Sequence, residues 1–101
     1  MGTYTFICEH AGGTYISQFI ANDMMTAFSQ WISYFCCSQY VNNEEREIIK
    51  WWSTQSDMPP CAIDEVTNVW FWEVRIKKRY LILHIIKTEI KKNLQLKHTN
   101  Y

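Results

Sequence analysis

From Thr3 to Glu9, "TYTFICE", aromatic and β-branched residues put Tyr4, Phe6 and Cys8 on one side and Thr5 and Ile7 on the other, the period-two pattern of a strand. "HAGG" follows as a turn, its two glycines permitting positive φ, and "TYISQFIA" from Thr14 to Ala21 reads as the return strand of a hairpin. The period then changes. Met24, Met25, Phe28, Trp31, Ile32 and Phe35 recur at helical spacing behind Asn22 and Asp23, either of which can cap a helix N-terminus. Beyond the polar break "SQYVNN", Asn42 stands three residues before Glu45 in the arrangement of a capping interaction, and a second helix is expected from Glu44 to Trp52.

Ser53 to Asn68, "STQSDMPPCAIDEVTN", holds both prolines and reads as a long acidic loop, a length at which connections often carry binding surface. The closing pattern, "NVWFWEVRIKKRYLILHII", predicts strands at Val69 to Ile76 and Tyr80 to Lys87, joined around Lys77, Lys78 and Arg79. Trp70, Trp72, Val74 and Ile76 share one face of the first strand. Both faces of the second are apolar, as in a central strand. With that join, Phe71, Leu81, Leu83 and Ile85 form a second face that needs a helix, a partner or another copy of the chain to cover it. Residues 88–101 read as a basic tail that either adds a short helix using Ile90 and Leu94 or frays. The expected fold is α+β: an antiparallel sheet of two β-hairpins in ββααββ order, packed by two helices.

At 101 residues the chain is long enough for one domain with one core. Ten basic and ten acidic residues give a formal charge of zero, but they are unevenly placed. Acids dominate up to Asn68, and bases dominate from Val69 onward, so the zero says little about partners. The four cysteines, Cys8, Cys36, Cys37 and Cys61, form no spaced framework and read as reduced and mostly buried, which suits the cytoplasm. The start shows no signal-peptide pattern, and the apolar runs are strand-sized, so neither export nor a membrane is expected.

Chemical motifs are sparse. His10, His84 and His98 are far apart, and neither C-x-x-C nor H-x-x-x-H spacing occurs, so no metal or cofactor is expected. Acidic pairs in "NNEERE" and "AIDEV" are as common at helix starts and in solvated loops as in acid–base catalysis. No enzyme activity and no small-molecule substrate are expected.

The first third, "YTFICEHAGGTYISQFIANDMMTAFSQW", resembles the opening of small bacterial proteins that neutralise toxins: immunity proteins of contact-dependent inhibition systems and, more loosely, HicB-type antitoxins. The shared elements are the strand "YTFICE", the turn glycines Gly12 and Gly13, the strand "TYISQF" and Ala27 in a capped helix. No helix-turn-helix or ribbon-helix-helix pattern follows. The resemblance therefore implies direct occlusion of a cognate toxin, with a nuclease among the candidates, rather than DNA autoregulation. Candidate partner-binding residues are Glu44, Glu45, Glu47, Trp51, Asp57, Met58, Asp64 and Glu65: acids for rate and specificity, apolar neighbours for affinity. The alternative is a nucleic-acid-binding module using Arg75, Lys77, Lys78 and Arg79 together with the basic C-terminal tail, although a solvated hairpin tip carries such residues as well.

Overall fold

The computed structural model describes residues 1–88. Its elements are β1 (Gly2–His10), β2 (Gly13–Ala21), α1 (Met24–Cys36), α2 (Asn43–Ser53), β3 (Cys61–Ala62), β4 (Val69–Ile76) and β5 (Arg79–Thr88). The strands form one antiparallel sheet in the order β2-β1-β5-β4-β3. The α+β class and the order of hairpin, two helices and hairpin are as expected. The sheet itself differs, having five strands rather than two separate hairpins. β1 pairs with β5 along seven positions, Thr3 with Thr88 through Glu9 with Ile82, welding the hairpins together. The fifth strand, β3, lies inside the segment read as loop, where Cys61 pairs with Phe71 and Ala62 with Trp70. The tail and its expected helix lie outside the described residues.

Local rules account for the element ends. Ala11 and Gly12 make a two-residue turn with φ of 51° and 83°, the positive values a tight hairpin requires. Asp23 caps α1 by accepting the Thr26 N–H at 2.7 Å, and this bond holds its carboxyl below the usual carboxylate range. Asn42 and Glu45 form the reciprocal box at the start of α2.

Both helices cover the same face of the sheet. Tyr4, Phe6 and Cys8 of β1, Trp72, Val74 and Ile76 of β4, and Leu81, Leu83 and Ile85 of β5 are buried there. From above, α1 adds Phe28, Trp31 and Phe35, and α2 adds Ile49. The centre is aromatic: Trp31 stacks on Phe6 at 5.9 Å and on Phe35 at 4.9 Å, and Phe28 meets Trp72 edge-on at 4.9 Å. Met25, counted in the expected apolar stripe, is instead exposed.

One expectation about the second hairpin is overturned. Its turn is two residues long, Lys77 and Lys78, so Ile76 pairs with Arg79 rather than Tyr80. A one-residue change in the turn exchanges the two faces of the strand that follows it. Leu81, Leu83 and Ile85 therefore join Trp70 and Trp72 beneath the helices, while Phe71 joins Ile82, His84 and Ile86 on the opposite, open face. There Ile16, Ile7, His84, Phe71 and Cys61 form one row across all five strands. Antiparallel sheets tolerate one solvated face, and among the described residues no helix covers this one: Ile7, Phe71, Ile82, His84 and Ile86 are half-buried on it, while Glu9, Ile16, Glu73 and Arg75 are exposed.

Candidate functional site

β1 and β4 both end, and α2 begins, at one end of the sheet. That arrangement divides the acidic candidates into two groups. Glu44 contacts Lys77 of the β4–β5 turn, with 2.5 Å between Oε2 and Nζ. Both side chains are largely exposed, so the pair contributes little to stability, yet it occupies both charges. Glu45 is turned inward. Its Oε1 accepts the Asn42 N–H at 3.0 Å, and its Oε2 lies 3.2 Å from Nε2 of His10.

His10, read from sequence as a turn residue, is the last inward residue of β1 and only 2 % exposed. It packs edge-on against Phe35 at 6.3 Å. Neither ring nitrogen meets hydrogen-bond geometry, so the 3.2 Å approach to Glu45 acts as an electrostatic contact rather than an aligned bond. The signal was present in the sequence, because His10 continues the even-numbered series Tyr4, Phe6, Cys8.

Glu47, Trp51, Asp57 and Met58 remain outward, along the later turns of α2 and the segment that follows. Trp51 lies about 10 Å along the helix from Glu44, at 1.5 Å per residue. It is 57 % exposed and braced edge-to-face by the half-buried Trp52 at 4.8 Å. The segment beyond is fastened to the sheet, because Trp72 Nε1–H donates to the Met58 carbonyl at 3.0 Å. A shallow cleft of about 240 Å³ opens beside that bond, lined by Asp57, Met58, Pro59, Cys61, Phe71, Trp72 and Glu73. Asp64 and Glu65 are exposed between β3 and β4, near the end of the sheet opposite to Glu44 and Glu45, and Glu65 adopts φ 66°.

The basic alternatives are partly engaged. Arg75 Nε–H donates to the Lys77 carbonyl at 3.0 Å and Lys77 reaches Glu44, while Lys78 and Arg79 are exposed. Lys78, Arg79 and Tyr80 border a shallow depression together with Ala11 and Gly12 of the neighbouring turn.

All four cysteines are free thiols. Burial pushes the Cys8 thiol up to about 12, with the Glu9 charge adding to the effect, and burial also raises Cys36. Cys37 and Cys61 are exposed, which corrects the expectation that most of the thiols are buried. Among the described residues no three His, Cys, Asp or Glu side chains cluster closely enough to hold a metal ion, and no helix is long and apolar enough to cross a membrane.

Fold and surface together define an α+β protein with a two-helix layer on one face of a five-stranded antiparallel sheet, whose second helix exposes Glu47, Lys50 and Trp51 along its later turns. Compared with protein-family models, with curated proteins and with solved structures, the chain matches none.

Proposed function

We propose that the chain is a binding protein of the immunity or antitoxin type, which occludes a cognate protein toxin and performs no catalysis of its own. The carrying observation is Trp51: a large aromatic side chain more than half exposed, packed edge-to-face against Trp52, with Glu47 and Lys50 exposed near it on α2 and Asp57 and Met58 exposed on the segment that follows. An exposed aromatic packed against a second one, with charged neighbours, has the composition of an interface hot spot, in which apolar burial supplies affinity and charge supplies rate and selectivity. Glu44 and Glu45 play little direct part in this reading, because Lys77 and the α2 cap already use them.

The test is a binding measurement against the product of the adjacent upstream gene, where a toxin of such a pair would be encoded. Trp51→Ala is expected to weaken binding by about 2 kcal/mol or more, and Glu47→Lys chiefly to slow association. A toxin-like neighbour bound equally well by wild type and Trp51→Ala would refute this site, and a neighbour of another kind would count against the function. A second reading, nucleic-acid binding through Lys78, Arg79 and Tyr80, rests on their shared exposure at the hairpin tip. It requires affinity that falls steeply with salt.

A further inference from the structure

The two edges of the sheet are built differently. On one side β3 is only two residues long, and Pro59 and Pro60 precede it. Short strands and nearby prolines are the usual protection against unwanted pairing. On the other side β2 presents nine residues, "GTYISQFIA", with no charge and no proline. Among the described residues its outer edge has no neighbouring strand. Alternate residues of such an edge direct their N–H and C=O groups outward, here along about 30 Å.

Apolar side chains flank this edge on both faces. Ile16 and Ile20, on the open face, are 67 % and 61 % exposed. On the helix face the exposed Tyr34 packs against Phe19 at 5.6 Å, and the exposed Tyr40 packs against Tyr15 at 4.2 Å. The longest polar side chain of β2 is turned away from the edge, because Gln18 Nε2 donates to Thr5 Oγ1 of β1 at 2.9 Å.

We infer that β2 pairs antiparallel with β2 of a second copy of this chain, joining two five-stranded sheets into one continuous sheet. A two-fold contact presents the same patch twice, so the patch must be complementary to itself. An uncharged strand meets this condition, since no register sets like charges against each other. In the paired strands Ile16 and Ile20 of both copies lie on one face, and the tyrosine-bordered flanks lie on the other. The absence of charge also gives β2 nothing with which to select a charged foreign peptide. The Trp51 surface, carried by α2 toward the β3–β4 side, stays outside this contact.

Sedimentation of the full chain at about 100 μM should give twice the 12.1 kDa chain mass. Ile16→Lys with Ile20→Lys, and separately Tyr34→Lys, alter exposed side chains on the two flanks, and circular dichroism verifies that each variant is folded. Each should raise the dimer dissociation constant at least about tenfold. Ile82→Lys, on the open face but two strands away from β2, should leave it unchanged. A wild-type monomer, or a dimer that survives both edge variants, overturns the inference. So does a dimer that Ile82→Lys dissociates, because the contact would then be the sheet face rather than its edge.

Discussion

Replacing Glu45 separates a folding role from a recognition role at a position where the sequence suggests both. Its carboxylate completes the α2 capping box through the Asn42 N–H, and it is the charged group nearest the buried His10 ring. Only 18 % of the side chain is exposed. Half of a capping box is worth up to about 1 kcal/mol, and truncating a mostly buried side chain that packs beside the His10 ring adds about 0.5–1 kcal/mol. Glu45→Ala should therefore destabilise the protein by about 1–2 kcal/mol, lowering the melting temperature by roughly 5–15 °C for a domain of this size. Glu45→Gln keeps an oxygen for the Asn42 N–H and a polar group near His10, and should lose less than half as much. Glu47→Ala, one turn away from the cap and exposed, should stay within about 0.5 kcal/mol of wild type. Urea titrations followed by circular dichroism rank the three. If Glu45→Ala proved as mild as Glu47→Ala, the inward role would be refuted and Glu45 would return to the partner surface.

Other positions give equally direct checks. Ala11 holds φ 51° in front of Gly12, so Ala11→Asn, which creates the favoured Asn-Gly hairpin turn, should raise stability by about 0.5–1 kcal/mol in thermal melts. Iodoacetamide under native conditions should modify Cys37 and Cys61 and spare the buried Cys8 and Cys36 until denaturant is added, as intact mass spectrometry would record; rapid native labelling of Cys8 would contradict its burial and raised thiol pKa. Leu83→Ala should cost about 2–5 kcal/mol and Ile82→Thr distinctly less, because only Leu83 faces the helices. The reverse order in denaturant titrations would restore the three-residue turn.

The features legible in the sequence were local ones. Alternation revealed β1 and β2, helical spacing revealed α1, and Asp23 and the Asn42–Glu45 pair marked the two helix starts to within a residue or two. The illegible features depended on distant or very short contacts. β3 is two exposed residues with no period of its own, held by Phe71 and Trp70 of another strand. The β1–β5 pairing joins residues more than seventy positions apart, which no local pattern encodes. The face assignment of β5 turned on the length of one turn: "IKKRY" fits a two- or a three-residue connection equally well by composition, and the choice exchanges Leu81, Leu83 and Ile85 with Ile82, His84 and Ile86. At the candidate site, Trp51 was legible as an apolar residue beside acids, whereas the inward turn of Glu45 required knowing that β1 ends beneath it.

The division of charge along the chain takes on another meaning once the strands are in place. Acids cluster before Asn68 and bases after it, which in sequence suggests one acidic and one basic face. In the folded protein the antiparallel pairing brings the β4–β5 turn to the same end as the start of α2, so part of the acidic cluster meets part of the basic one: Glu44 with Lys77, while Glu45 turns inward to His10. What remains for a partner is Glu47 and Lys50 beside the exposed Trp51 on α2, with Asp57 on the segment beyond it. Separated, solvated charges of this kind act mainly on encounter rate and orientation, with effects that fade as salt rises. Persistence of the complex must then come from burial of Trp51 and its apolar neighbours, so Trp51→Ala should act on the dissociation rate and Glu47→Lys on the association rate.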